Sequence, residues 1–202
     1  MASSNTLVLA SGNVGKLKEF NQLLAPLGLD VRAQSEFGVG DVEETGLTFV
    51  ENALLKAREA SRISGLPALA DDSGLEVDAL HGAPGIYSAR YAGEPKSDER
   101  NNEKLLTSLS SYAEGQRSGR YWCVLVYLRH AEDPVPVIVQ RSWEGEILAH
   151  PRGNGGFGYD PLFWLPDQGM SVAELSSETK NRLSHRGRAL QGLVELLKVA
   201  HG

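Results

Sequence analysis

The chain of 202 residues suits one domain of ordinary size, and its composition, 41% hydrophobic and 23% charged, is typical of a globular protein with its own core. Its formal net charge of -6 argues against broad binding to nucleic acid polymers or membrane surfaces, although a local basic cluster can still hold a small anion. The single Cys123 excludes an intrachain disulfide, and no apolar run approaches the roughly 18 residues of a membrane span.

The first half of the chain predicts strands that alternate with helices. Apolar runs predict strands at residues 6–10 (TLVLA), 29–33 (LDVRA) and 68–80 (ALADDSGLEVDAL). Between the first two strands, apolar residues at helical spacing after Lys16 predict a helix. Thr48 and Glu51 form a capping-box pattern that opens another helix over residues 49–64.

The second half of the chain predicts a central strand and a final amphipathic helix. Residues 121–129, YWCVLVYLR, are apolar on both faces, which is typical of a central strand. Residues 135–148 return as one or two strands after a short turn, which favours an antiparallel pair. The last helix carries Leu190, Leu193, Val194 and Leu197 on one face. Together these elements predict an α/β fold with a mixed sheet.

A glycine-containing turn, SGNVGK, stands between the first strand and the first helix. Such a turn aims backbone N–H groups at one point near the positive end of the helix dipole, which suits a phosphate. The Walker A spacing is absent, and a turn with a helix cap is the alternative interpretation. The candidate phosphate-binding residues are Ser11, Gly12, Asn13, Val14, Gly15 and Lys16.

Four carboxylates occur as two adjacent pairs, Glu43 with Glu44 in VEETG and Asp71 with Asp72 in ADDSG. Carboxylate oxygens are ligands that Mg²⁺ prefers, and a cation would relieve the repulsion between adjacent like charges. Neighbouring side chains of a strand point to opposite faces, so we predict different roles for Asp71 and Asp72. A solvated loop is the alternative for EETG, but the apolar flanks of DDSG weaken that alternative there.

The glycine-rich loop GNGGFGYDP, residues 153–161, offers groups for a purine base. Its glycines permit close backbone approach, Phe157 and Tyr159 offer faces for stacking, and Asp160 offers a hydrogen-bond acceptor. In the alternative interpretation, Phe157 anchors the loop in the core.

The motif SHRG, residues 184–187, marks the start of the last helix. Ser184 is its predicted cap, and the following N–H groups would face an anion. His185 and Arg186 are donors for a phosphate or a base carbonyl, unless they are ordinary surface residues.

The motifs SGNVGK, EETG, ADDSGLEVDALHGAPGIYSARYAG, GGFGYDPLF and SHRG, in this order, resemble those of the inosine triphosphate pyrophosphatases, the Ham1-like family. They extend from Ser11 to Gly187, and five motifs in register are highly specific. The resemblance implies one domain over residues 1–202 with a long mixed β-sheet flanked by helices, in two lobes with a central cleft. It also implies hydrolysis of dITP, ITP and XTP to the monophosphate and pyrophosphate, which cleanses the nucleotide pool. Members of the family are usually homodimers and need Mg²⁺.

The resemblance also assigns roles to individual residues. It implies that Asp72 is the proton acceptor and that Asp72 and Glu43 hold Mg²⁺, with Glu44 as the less favoured choice. Asp71 would support Asp72, and the triphosphate falls to the SGNVGK turn. The other implied substrate-binding residues are Lys56, Ser73, Phe157, Gly158, Tyr159, Asp160, Lys180, His185 and Arg186.

The physical requirements of the reaction agree with this assignment. Attack of water at the α-phosphorus needs neutralised phosphates and an oriented water, which Mg²⁺, Lys16, Lys56 and a carboxylate can supply. Selectivity for a 6-oxo purine needs donors facing O6, and His185, Arg186 and loop N–H groups are the candidates.

Two other functions share parts of this pattern. A Maf-like pyrophosphatase would act on other nucleotides, and a noncatalytic nucleotide sensor would not need the four carboxylates. The first residues, MASSNTLVLASGN, lack the basic segment and the long apolar run of a secretory signal peptide, so the expected compartment is the cytoplasm.

Overall fold

A computed structural model describes residues 5–201 of the chain, without the side chains of residues 19, 23 and 199–201. The strands are β1 (Thr6–Leu9), β2 (Asp30–Ala33), β3 (Ala68–Val77), β4 (Ser118–Leu128), β5 (Val137–Ile147), β6 (Phe163–Leu165) and β7 (Met170–Ser171). The α-helices are α1 (Val14–Leu24), α2 (Phe49–Ser64), α3 (Asp98–Ser108), α4 (Ser177–Leu183) and α5 (His185–His201). Short 3₁₀ segments connect several of them. No helix in the described range is long and apolar enough to cross a membrane.

The strands form one seven-stranded sheet in the order β2-β1-β3-β4-β5-β6-β7. β1 pairs in parallel with both β2 and β3, whereas β6 is antiparallel to β5 and to β7. The predicted α/β class with a long mixed sheet flanked by helices is therefore confirmed.

Internal packing divides the chain into two compact units. Unit 1 contains the described residues up to Asp72, together with Cys123–Arg141 and the residues from Arg188 onward. Unit 2 contains Ser73–Trp122 and Ser142–Gly187. The single domain with a substrate cleft remains a prediction.

The sheet of unit 1 is covered on both faces, and β1 shows how. Leu7 and Leu9 belong to a buried cluster that also contains residues of α1 and α5. Val8 and Ala10 belong to a second cluster that contains residues of α2. This alternation is the two-residue period of a strand, so an uninterrupted apolar run is what a strand buried on both faces requires.

Helix α2 begins at the predicted N-cap, Thr48. Thr48 Oγ1 accepts a hydrogen bond from the backbone N–H of Glu51 at 3.3 Å, and Glu51 Oε2 accepts from the Leu47 N–H at 2.9 Å. The helix ends at Gly65, whose φ of 70° is the left-handed conformation of a helix C-terminus. The start and the end of α2 are therefore set by local signals, and Lys56, within the helix, faces β3.

The core of unit 2 forms between the sheet and α3. Leu75 of β3, Trp143 of β5 and Phe163 of β6 pack in one buried cluster with Leu105 and Leu109 of α3. This packing places the first turns of α3 next to the glycine-rich loop, where two hydrogen bonds described below join them.

Candidate active site

The SGNVGK turn follows β1 directly and opens α1. Asn13 is the N-cap, and its Oδ1 accepts a hydrogen bond from the backbone N–H of Lys16 at 3.0 Å. Ser11 Oγ accepts from the Asn13 N–H at 3.2 Å. Gly12 and Val14 are exposed, and Val14 keeps 79% of its surface accessible. The predicted strand, turn and helix are present, and phosphate binding by this turn stays a prediction.

Asp71 and Asp72 follow each other in β3 and point to opposite faces of the sheet. Asp71 Oδ1 forms an ion pair with Lys16 Nζ of α1, and Asp71 Oδ2 lies 3.6 Å from Cys123 Sγ. Asp72 Oδ1 accepts a hydrogen bond from Lys56 Nζ of α2 at 2.7 Å. Because α1 and α2 pack in different clusters, the prediction of different faces is confirmed.

Both aspartates are buried, with Asp71 2% and Asp72 9% exposed. A buried carboxylate is costly unless a charged partner and hydrogen bonds compensate it. Here each aspartate has its own lysine, Lys16 or Lys56. The sequence predicts that a bound cation relieves the repulsion between Asp71 and Asp72. In the structure, the ammonium groups of Lys16 and Lys56 relieve this repulsion.

Lys56 Nζ donates hydrogen bonds to three oxygens. The distances are 2.8 Å to Glu44 Oε1, 2.9 Å to the Asp71 carbonyl oxygen and 2.7 Å to Asp72 Oδ1. Burial disfavours the charged amine, but the carboxylates of Asp72 and Glu44 outweigh it and raise the pKa of Lys56. Lys56 is therefore a fixed positive charge that joins the loop before α2 to β3.

Asp72 is the most perturbed carboxylate of this group. Its pKa is raised from the ordinary 3.8 to about 6, mainly by burial and also by the charges of Glu44 and Asp71, against the opposing effect of Lys56. The side chain is therefore ionised at neutral pH and yet more basic than an exposed aspartate. Such a group is suited to accept a proton from a water molecule.

The two glutamates of EETG have different surroundings. Glu44 is partly buried and shares Lys56 with Asp72, so the two carboxylates converge on one ammonium. Glu43 is exposed. The sequence prediction preferred Glu43 as the magnesium ligand, whereas the geometry favours Glu44, which is the alternative it left open.

The residues around Lys56 fit a magnesium ion in chemistry and charge. Glu44 and Asp72 supply carboxylate oxygens from two chain segments, and the three carboxylates with Asp71 exceed the two lysines by one negative charge. Within residues 5–201 no cluster of three or more His, Cys, Asp or Glu is arranged to hold a metal. The two carboxylates of Glu44 and Asp72 are a number that Mg²⁺ accepts, because it is often bound by one or two carboxylates and completed by water and phosphates.

The glycine-rich loop of unit 2 is organised by Asp160. This residue is 3% exposed, and its Oδ2 accepts hydrogen bonds from the Phe157 N–H at 2.9 Å and from Lys180 Nζ at 2.5 Å. A Cβ at Gly156, where φ is 76°, would lie 2.1 Å from the same Oδ2, so only glycine lets the loop close on this carboxylate. The observed role of Asp160 is to hold the loop, and its predicted contact with a base stays a prediction.

Phe157 and Tyr159 have opposite environments in this loop. Phe157 is 61% exposed, and Lys180 Nζ lies 4.2 Å from the centre of its ring, a cation–π contact. Tyr159 is 4% exposed and donates its hydroxyl hydrogen to the Ser88 carbonyl oxygen at 2.8 Å. Tyr159 is thus the anchor of the loop, and the alternative in which Phe157 fills the core is wrong. An exposed ring beside a lysine is free to stack on a planar ligand.

The SHRG motif caps α5 and orients a histidine. Ser184 Oγ accepts a hydrogen bond from the Gly187 N–H at 3.1 Å, which confirms the predicted cap. His185 is 8% exposed, and its ring stacks on Tyr121 with centroids 4.9 Å apart and planes 14° apart. Arg186 is partly exposed. His185 is therefore a buried, oriented ring and not an ordinary surface residue.

The remaining predicted residues take less distinct positions. Ser73 follows Asp72 in β3, and Ser73 and Gly158 are both partly exposed. Sequence reasoning missed Tyr121, whose hydroxyl lies 3.4 Å from Asp160 Oδ1, and the contact of Cys123 with Asp71. The two-residue spacing of Tyr121 and Cys123 in β4 indicates a shared face, but no local signal identifies their partners.

The sequence and the fold of this chain are similar to those of known proteins over nearly its whole length. The model of the Ham1 family matches residues 7–196. The dITP/XTP pyrophosphatase of Nitrosomonas europaea is 59% identical over 193 residues, which cover 96% of this chain and 94% of that protein. The dITP/XTP pyrophosphatase of Shigella flexneri is 57% identical over 192 residues, which cover 95% of this chain and 98% of that protein. The solved structure of a HAM1 protein from Coxiella burnetii is similar with a TM-score of 0.92 and 48% identity, over 96% of this chain and 98% of that one.

Proposed function

Because the chain belongs to the Ham1 family, we propose that it hydrolyses the deaminated purine nucleotides dITP, ITP and XTP to the nucleoside monophosphate and pyrophosphate. The relatives that carry the name dITP/XTP pyrophosphatase match nearly the whole chain and support this activity. Its role would be to cleanse the nucleotide pool, so that hypoxanthine and xanthine are not incorporated into DNA and RNA.

The observation that carries the chemistry is the buried Asp72 carboxylate beside Lys56. Water attacks the α-phosphorus and the bond from that phosphorus to the bridging oxygen breaks, so pyrophosphate leaves. The attacking water loses a proton, and Asp72, with its pKa near 6, accepts it. Asp71 does not contact the attacking water, because it lies on the opposite face of β3 and is paired with Lys16.

Lys16 and Lys56 would balance the charge on the triphosphate. Lys16 and Lys56 each form ion pairs with carboxylates. When a phosphate binds, its oxygens can compete with these carboxylates for the N–H donors of the two lysines. The backbone N–H groups at the start of α1 add positive potential for the phosphates. Glu44 and Asp72 would hold Mg²⁺, which supplies neutralisation of the phosphates and of the pyrophosphate leaving group when bound.

Base recognition is assigned to residues of the glycine-rich loop and of the SHRG motif. Phe157 offers an exposed face for stacking, and Lys180, fixed by Asp160, adds a positive charge next to that face. His185 and Arg186 are the side-chain candidates for donors to O6 of hypoxanthine or xanthine. A donor that stays unpaired with the wrong base discriminates strongly, which favours 6-oxo purines over adenine.

The assembly and location of the protein are part of the proposal. A homodimer in the cytoplasm is what the resemblance implies, with a nucleotide as the substrate and neither nucleic acid polymers nor membranes as partners. The net charge of -6 is consistent with the last point.

A substrate panel tests the function. The protein is incubated with dITP, ITP, XTP, GTP and ATP, with and without Mg²⁺, and the products are identified by chromatography. We expect dIMP and pyrophosphate from dITP only with Mg²⁺, and far slower turnover of GTP and ATP. Orthophosphate as the first product would indicate a phosphatase, and preference for another nucleotide would favour the Maf-like alternative.

A further inference from the structure

The first two turns of α3 bind both polar backbone groups of a single loop residue, Gly158. Asp98 Oδ2 accepts a hydrogen bond from the Gly158 N–H at 2.7 Å. Asn102 Nδ2 donates a hydrogen bond to the Gly158 carbonyl oxygen at 2.9 Å. Asp98 and Asn102 are four residues apart, so they lie on the same face of the helix.

These bonds add to the hold of Asp160 on the loop, because Asp160 binds the Phe157 N–H and the two α3 side chains bind the next residue. Gly158 has a φ of 61°, and a Cβ built on it meets nothing within 4 Å, so side-chain packing does not fix its conformation. The peptide groups before and after Gly158 link it to the exposed Phe157 and to the buried Tyr159. Because both peptide planes are fixed, the exposed Phe157 is held at a defined position relative to the buried Tyr159.

On this geometry, we propose that Asp98 and Asn102 are positioning residues that hold Phe157 ready to stack on the purine base, an inference that rests on the proposed function. Neither residue touches the base in this account, and both act through Gly158. The advantage is preorganisation, because a loop that is ordered before binding loses less conformational entropy when the nucleotide arrives.

The chemistry of the two bonds differs in a useful way. Asp98 offers a carboxylate oxygen and Asn102 a neutral amide, and carboxylate acceptors form stronger hydrogen bonds than neutral groups do. Asn102 presents its amide nitrogen because the Gly158 carbonyl requires a donor. Replacing Asn102 with Asp would keep the shape and set a carboxylate against a carbonyl oxygen.

Other contacts hold α3 in place without the Asp98–Asn102 pair. Ser97 caps the helix by accepting from the Arg100 N–H at 3.2 Å. Asn101 accepts from the Ala92 N–H at 2.7 Å and donates to the Ala89 carbonyl oxygen at 3.1 Å. Removing the side chain of Asp98 is therefore expected to free the loop without displacing the helix.

The test compares Asp98→Ala with two variants. Asp98→Asn keeps an oxygen that can accept from Gly158, and Glu99→Ala removes an exposed carboxylate from the same helical turn without removing a bond to the loop. With dITP as substrate, we expect Asp98→Ala to raise KM about tenfold and to leave kcat nearly unchanged, because base binding is lost equally from ground and transition states. Asp98→Asn should recover most of the loss, and Glu99→Ala should behave as wild type.

A double-mutant cycle with Phe157→Ala tests whether Asp98 acts through the ring. If it does, Asp98→Ala adds little to the KM of the Phe157→Ala variant, whereas full additivity overturns the proposal. Asn102→Asp should raise KM in the same way. Amide hydrogen exchange of the peptide covering residues 155–160 gives a readout independent of activity: faster exchange in Asp98→Ala supports the proposal, and unchanged exchange overturns it. If wild-type protein fails to hydrolyse dITP, the proposed function fails, whereas a wild-type rate and KM in Asp98→Ala refute only this inference.

Discussion

Replacing Asp72 by Asn is expected to stabilise the metal-free protein while it removes turnover. The carboxylate is 9% exposed and its pKa is raised to about 6, so the fold favours the neutral form of this side chain. Asn is close to that neutral form in shape and can still accept a hydrogen bond from Lys56. Asp72 is therefore a residue whose ionised form costs stability.

The magnitude follows from the pKa. A rise from 3.8 to about 6 corresponds to about 3 kcal/mol between the protonated and ionised forms in the folded state. Because the folded pKa of this acid lies above its unfolded value, the stability contribution is fully present below about pH 4 and is lost as pH rises to about 6. The Asn variant escapes this loss, so the difference in unfolding free energy should grow from near zero to at most about 3 kcal/mol.

The assay is urea unfolding of wild type and Asp72→Asn in the presence of a chelator, from about pH 4 to about pH 8. The variant should gain on wild type only between about pH 4 and about pH 6, with a plateau above. Its turnover of dITP should be lost, with nucleotide binding largely kept. A difference that is independent of pH, or a wild type that is the more stable protein at neutral pH, would refute the reasoning about burial. Hydrolysis by the variant at the wild-type rate would refute the assignment of Asp72 as base.

Three further changes separate the loop, the ring and the scaffold. Asp160→Ala leaves the Lys180 ammonium and the Phe157 N–H without their shared acceptor, so urea unfolding should show a loss of about 2 to 4 kcal/mol and the KM for dITP should rise; wild-type stability would contradict the role of Asp160. Phe157→Ala should raise the KM for dITP about tenfold with little change in stability, because its ring is exposed, and an unchanged KM would exclude stacking. Asp133→Asn should leave kcat/KM unchanged. The pKa of Asp133 is lowered by Arg129, so its contribution to stability is present above about pH 4 and is lost below it; a variant whose acid unfolding coincides with wild type would contradict this.

The sequence predicts the fold well where periodicity reports burial. The apolar run of β1 and the Thr48 N-cap of α2 are local signals, and the structure confirms both. The opposite directions of Asp71 and Asp72 also follow from a local rule, the two-residue period of a strand.

Partners far apart in the chain could not be predicted in the same way. The pairing of Lys16 with Asp71 and of Lys56 with Asp72 depends on how two helices pack on a strand. Sequence reasoning assigned the lysines to phosphates and a cation to the carboxylates, and it had no means of pairing the two sets. The pairing of Glu44 with Lys56 could not be predicted for the same reason, because adjacent residues of a loop carry no periodicity that indicates a face, and the choice between Glu43 and Glu44 as metal ligand stays a prediction.

Prediction from the sequence was limited in the same way for the glycine-rich loop of unit 2. The exposure of Phe157 contradicts the general tendency of phenylalanine to be buried, and Tyr159 takes the anchoring position instead. Asp98 and Asn102 belong to an ordinary polar helix start, and their contact with Gly158 appears only in three dimensions.

The fate of the oxygen atom of water tests the central claim most directly. The protein hydrolyses dITP with Mg²⁺ in water enriched in a heavy oxygen isotope, and mass spectrometry locates the label in the products of a single turnover. Attack at the α-phosphorus predicts that the label enters dIMP and that pyrophosphate stays unlabelled. Label in pyrophosphate, or in orthophosphate, would contradict the account.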